Sequence, residues 1–496
     1  MRRRSAQATE HHGAAPATSW RAEPATPAAP RRARRSGLVR VLGITVAALL
    51  TANSVVVAEQ VTGRDLLDIL GDGVDDARSA LARTLDPDGR DEVFAGTVDP
   101  TTSSTAPAEV AGAVETTSTT AAGAAPESTT SSAPPPAAPG TTAPSAPRPS
   151  AAAAAPSLEQ VVPQLQAFVE RERGLTFKGA VPLVVLDDAA FKSRLGSHRL
   201  APAMEEARRD QPVYRALGLI APDIDLAAQV NRLSVGGAAA FYDAGSNELV
   251  VRQGQISPFL RKILVHELTH ALDDQHFELD RPNLRAAPDD SYDAYEALVE
   301  GIAGRVEERY VAGLPDGDRK AIETEQRRLS AQIPRDLPAV VLVSFGFPYT
   351  AGVRLANALW AAGGAARFNA ALGAPPSTTE QILHPEKYAA GEAPRAVPGP
   401  AADGAVVREG SLGQLLLSLM LAQGLEAGYA EGAADGWGGD RYVAWQNGGQ
   451  SCVRFSIDMD NADENVEMGE ALADWAAELS GTVVEGSGPF MVTRCA

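Results

Sequence analysis

A chain of 496 residues, 44% hydrophobic and 22% charged, is long enough for more than one domain. Its formal net charge of −19 argues against a nucleic-acid partner, because a phosphate backbone needs a basic face. The two cysteines, Cys452 and Cys495, predict one disulfide near the C-terminal end in an oxidising, extracytoplasmic space.

Residues 1–36 form a basic tail that includes Arg31, Arg32, Arg34 and Arg35. Residues 37–61 hold an apolar run, Val41 to Ala58, which as a helix is about 27 Å long, close to the thickness of a bilayer core. Basic residues before it and only Arg64 soon after predict a signal anchor with its N-terminus in the cytoplasm and the rest outside the cell membrane. Cleavage near Ala58 is the alternative, and gives a secreted protein. Residues 62–100 read as a stalk with a short amphipathic helix. Residues 101–157 are rich in Thr, Ser, Ala and Pro and bury too little apolar surface to offset the entropy of ordering. They predict a disordered spacer, suited to holding a domain away from the membrane or against a cell wall.

The remaining residues, 158–496, read as one α+β domain with a small sheet and a mostly helical remainder. A helix over 158–173 precedes an apolar strand at 181–186 and a polar helical region through Arg215. A hairpin follows, with strands 238–243 and 248–253 around a turn at 244–247. Ser257-Pro258 then provides an N-cap and first-turn pair for a helix with apolar residues at Leu260, Ile263, Leu264, Leu268 and Leu272. Further helices are expected over 292–311, 318–332, 353–362, 412–425 and 462–479, and β-like segments over 441–445 and 452–457.

That capped helix carries His266-Glu267-Leu268-Thr269-His270. Positions i and i+4 lie about 40° apart around a helix, so both imidazoles project from one face and can close on a single ion. Glu267 stands beside that face, where a carboxylate can serve as general base to a metal-activated water. A catalytic zinc takes three protein ligands. Glu300, on a helix able to pack against the first, is the preferred third ligand. His276 is the competitor, but position i+10 points about 80° away from His266 unless the helix breaks, and Asp273 stands where a glycine would permit the break.

This motif resembles the zinc helix of thermolysin-type metallopeptidases, the gluzincins, whose third ligand is a glutamate on the next helix. The segment from Ala297 to Ala303 resembles the second motif of many bacterial zincins. A narrower similarity, to exported bacterial zincins, rests on residues 266–277, Phe347-Pro348-Tyr349, residues 377–388 and residues 436–442. The resemblance implies a zincin-like fold with an edge strand beside the motif helix. It also implies Zn²⁺ held by His266, His270 and Glu300, with Glu267 as base. Two positions depart from the pattern: Gly304 and Ile302 stand where acidic residues are usual, so support for the ligands falls to other groups, Asp273 or Asp274.

The function expected is therefore a membrane-anchored, extracytoplasmic zinc metallopeptidase acting on a peptide or protein. The strand at 248–253 is expected to form the edge to which an extended substrate adds. His384 is the first candidate for stabilising the oxyanion and Tyr349 the second. The run from Gly436 to Tyr442 reads as a structural loop with a buried Trp437 and a paired Asp440-Arg441. The alternatives are a zinc-binding scaffold without proteolytic activity and a zinc amidase acting on cell-wall material.

Overall fold

The computed structural model describes residues 156–496 except 235–237 and 288–289. The readings of tail, anchor, stalk and linker fall almost wholly on residues 1–155 and lie outside the described residues.

Helix α1 (Leu158–Arg173) opens with a capping box at Ser157 and ends on Gly174, whose φ of 61° is the left-handed turn that suits glycine. Strand β1 (Leu183–Leu186) leads into helix α2 (Asp188–Leu195), a single π-helical turn (Gly196–Leu200) and helix α3 (Ala201–Ala216). After helix α4 (Leu226–Ser234) comes the hairpin, β2 (Ala240–Asp243) and β3 (Glu248–Arg252). These strands form a three-stranded sheet in the order β1-β3-β2, with β1 parallel and β2 antiparallel to β3. The segment expected as the edge, β3, is therefore the centre of the sheet, because β1 pairs with its other side. Among the described residues, the edge beside the motif helix is β2.

That motif helix is α5 (Pro258–Phe277), capped as the sequence predicts: Ser257 Oγ accepts from the Leu260 N–H at 3.1 Å. It is not a surface helix with one apolar stripe, since every residue from Lys262 to Asp273 is buried. The short α6 (Pro282–Ala286) precedes α7 (Ser291–Ala312) and α8 (Asp316–Ser330). Helix α9 (Ala339–Gly373) continues well beyond the expected 353–362, through Pro348 and across non-helical backbone at Gly363 and Gly364. It is the described helix long and apolar enough to cross a membrane, but 61% of its most apolar window is buried in the protein. Much of that burial is against α7, where Ala294, Leu298 and Ile302 join Phe347, Ala351 and Leu355 in one core cluster.

Two short helices, α10 (Thr379–Leu383) and α11 (Pro385–Ala390), lead to a second, larger sheet. Strand β4 (Val406–Gly410), helices α12 (Gly413–Leu421) and α13 (Ala427–Ala434), and the long hairpin β5 (Trp437–Asn447) and β6 (Gln450–Met459) come first. Helix α14 (Ala462–Glu478) and strands β7 (Thr482–Glu485) and β8 (Phe490–Cys495) complete it. The order is β4-β5-β6-β8-β7, antiparallel throughout. Cys452 lies opposite Cys495 across β6 and β8, and the two are joined as a disulfide. The architecture is α+β. Its largest core cluster runs from Val161 through Leu264 and Leu268 of α5 to Trp475 of α14 and Val492 of β8, so both sheets share one apolar interior.

Candidate metal centre

Helices α5 and α7 run antiparallel, and their contacting faces carry charge. Lys262, His266 and His270 follow one another at i, i+4 and i+8 on α5, while Glu300 and Glu307, two turns apart, answer from α7. Glu300 Oε2 lies 3.0 Å from His266 Nε2 and 3.4 Å from His270 Nε2. All three side chains are buried, and one ligand atom from each falls within 4.8 Å of the others. The spacings match the edges of a tetrahedron of donors about 2.1 Å from a central ion, which are about 3.4 Å long.

Glycines set this geometry. A Cβ on Gly301 would meet the Gly352 carbonyl oxygen at 2.1 Å, and one on Gly352 would meet that of Ala297 at 2.1 Å. The backbones of α7 and α9 thus touch beside Glu300, and Tyr349, one turn before Gly352, comes in next to the cluster. Its ring centroid is 6.4 Å from that of His266. Gly304 is pressed on Val353, whose Cγ2 would lie 2.8 Å from an added Cβ. A side chain at this position would have to displace Val353.

The charges respond to burial and to each other. Burial lowers His266, but its contacts with Glu300 and Glu307 outweigh this and push it up to about 10. Burial raises Glu300, yet His270 and His266 hold its carboxyl well below the usual range. Glu267 is pushed up to about 8 by burial, only partly offset by His266, Arg199 and the Tyr242 N–H. His270 is lowered by burial. The Tyr349 hydroxyl is raised well above its ordinary value by burial and by the charges of Glu300, Glu296 and Glu267.

Among the buried polar atoms around the cluster without a hydrogen-bond partner in the protein are His270 Nε2, Glu267 Oε1 and the Tyr349 hydroxyl oxygen. Such atoms are costly unless something pairs with them. An ion held by His266, His270 and Glu300 uses the first, and a water or substrate beside it uses the other two. The residues present therefore fit zinc.

Glu267 is fixed through its other oxygen, which accepts the Tyr242 N–H of β2 at 2.8 Å. The Tyr242 carbonyl in turn accepts from Arg199, which sits on the π-helical turn, is 4% exposed, and lies over the Phe241 ring at 5.2 Å. Sequence reasoning missed Arg199 because nothing near it in the chain marks it. The supporting group at His266 Nδ1 is Glu307 at 3.4 Å. It is neither Asp273, which is ion-paired with Arg173 at 2.7 Å, nor Asp274, which accepts from the Tyr242 hydroxyl at 2.8 Å. At 3.4 Å the His266–Glu307 approach is a charge contact, and Nδ1 makes no well-aligned hydrogen bond.

The other candidates are placed as follows. Helix α5 does not break at Asp273, and His276 faces the Thr176 carbonyl at 2.8 Å, away from the paired histidines. His384 contacts Asp435 at 2.9 Å, Glu386 at 3.4 Å and Gln414 at 3.1 Å, and these carboxylates raise it, against burial, to about 9. These side-chain partners, Glu386 of α11, Gln414 of α12 and Asp435 at the end of α13, do not belong to the metal cluster. The same segment supplies Lys387, whose ammonium is shared by Glu380, Glu392 and Asp460. That acidic trio already holds a cation from the chain itself. Trp437 is buried, and Asp440 accepts from Trp437 Nε1, Ser411 Oγ and the N–H groups of Leu412 and Gly413, capping α12.

One family model, described as a domain of unknown function (DUF8575), matches residues 403–494. The matched stretch covers the larger sheet and its helices and does not include α5 or α7. No curated protein and no solved structure matches the chain.

Proposed function

We propose that this protein is a zinc-dependent peptidase of zincin type, related to the gluzincins, anchored by residues 37–61 and acting outside the membrane at the end of a spacer. One observation carries the reading. Two imidazoles, a carboxylate ligand and a separately held second carboxylate converge in a buried space, leaving His270 Nε2, Glu267 Oε1 and the Tyr349 hydroxyl unpaired.

Bound there, zinc supplies Lewis acidity, polarising a carbonyl and acidifying water. His266, His270 and Glu300 would hold it. Glu267 has one oxygen tied to β2 and one free, so it is oriented to take a proton from the attacking water and return it to the leaving amine. Tyr349 is the donor best placed for the oxyanion, since its hydroxyl is unpaired and its ring adjoins His266. That role passes to it from His384, whose nitrogens are engaged by Asp435, Glu386 and Gln414. An extended peptide lies along β2, and Arg199 yields the Tyr242 carbonyl to it.

The test is metal analysis and peptide-library cleavage on the full chain and on Glu267→Gln. Zinc retained by both, with cleavage in the parent alone, is the expected result. A parent protein that binds zinc but cleaves no peptide sinks the peptidase reading.

A further inference from the structure

The polar row on α5 extends one turn past the cluster, to Lys262. Its ammonium lies 2.8 Å from Glu307 Oε1, and both side chains are buried. Burying two charges is costly, and a well-packed apolar pair of similar volume is often as stable or more so. Fold stability alone does not explain the pair, but its position does: the second oxygen of Glu307 faces His266 Nδ1 at 3.4 Å.

We propose that Glu307, itself held by Lys262, is a positioning residue that orients His266 for metal ligation. By receiving the Nδ1 proton it commits the ring to one tautomer and leaves Nε2, the atom 3.0 Å from Glu300, as the lone-pair donor. The inference rests on the metal-site reading and adds two residues to it. The alternatives are spent: Gly304 has no side chain, Asp273 is committed to Arg173, and Asp274 to Tyr242 and the Leu279 N–H. Lys262 fixes the carboxylate's rotation by occupying Oε1, so that Oε2 is the oxygen presented to the ring. A shift of about half an ångström brings that contact to hydrogen-bond length.

The test measures Zn²⁺ affinity by competition with a chromophoric chelator, and the Tm of metal-free protein, on the full chain. Glu307→Gln weakens zinc binding about 10–100-fold and lowers Tm, because the buried Lys262 ammonium loses the carboxylate 2.8 Å away. The double variant Lys262→Met/Glu307→Gln removes both charges and regains Tm, while its zinc affinity stays as weak as that of Glu307→Gln. A merely structural pair predicts the reverse, recovery of both. Zinc affinity in the double variant within about twofold of the parent overturns the proposal and leaves the metal site standing. A parent chain that binds no zinc overturns both. Nitrogen-15 NMR of the zinc-loaded parent gives a reading free of any folding defect: the His266 proton is expected on Nδ1, and a proton on Nε2 refutes the assignment.

Discussion

Replacing Asp273 by alanine separates support of the metal from support of the fold. Asp273, one turn beyond His270 on α5, meets Arg173, the last residue of α1, which is fully buried. Two hydrogen bonds from Arg173 Nε, at 2.9 and 3.2 Å, add to the 2.7 Å ion pair, and the guanidinium lies over Phe368. Removing the carboxylate strands a buried cation, a loss of about 3–5 kcal/mol. Unfolding about 340 ordered residues, at about 2.1 cal/mol/K each, makes 1 kcal/mol worth about 1.4 °C. The metal-free variant should therefore melt about 4–7 °C below the parent by calorimetry, and Arg173→Met/Asp273→Ala should recover most of that. Zinc affinity should stay within about threefold, since loss of a true ligand-supporting group costs at least tenfold. An unchanged Tm with strongly weakened zinc binding would refute the reasoning and return Asp273 to the metal site.

Tyr349→Phe removes a buried hydroxyl that has no partner, so Tm in the metal-free protein should hold or rise slightly, and zinc affinity should not change. Peptide cleavage should fall about 10²–10³-fold in kcat if the hydroxyl serves the oxyanion. Replacing Cys452 and Cys495 by alanine opens a loop with a sequence separation of 43, and should lower stability by up to about 4 kcal/mol in denaturant titrations without altering zinc affinity. Asp290 is pushed up to about 7 by burial, despite hydrogen bonds from Thr379, against an ordinary value of 3.8. Its folded-state value is raised, so its contribution is complete below pH 4 and is lost as the pH climbs to about 7. The unfolding free energy of the parent minus that of Asp290→Asn should fall over that interval, because only the parent ionises, and a pH-independent difference would contradict it.

The central helix and the convergence of His266, His270 and Glu300 were legible because they obey local rules. Ser257-Pro258 caps, the i, i+4 histidines share a face, and a second helix follows at a spacing that lets Glu300 return. What was hidden depends on contacts far apart in the chain. Whether β2 or β3 is the edge is decided by β1, more than 50 residues upstream, which pairs in parallel with β3. Nothing in the sequence sets Glu307 apart from Glu308, and only the antiparallel crossing of α5 reveals that Glu307 faces Lys262 and His266. Pro348 and the glycines of α9 read as helix breakers, yet packing on α7 carries the helix through. Strands β4 and β7 escaped notice because Val406 and Val483 are exposed, which blurs the alternation that betrays a strand.

The contact of Gly301 with Gly352 makes the whole centre depend on two hydrogen atoms. A methyl at either position must overlap a main-chain carbonyl, so the helices can only part. Parting carries Glu300 and Tyr349 in opposite directions, loosening a ligand and a donor at once. Alanine at Gly301 or Gly352 should therefore weaken zinc binding as much as the loss of His266 or His270.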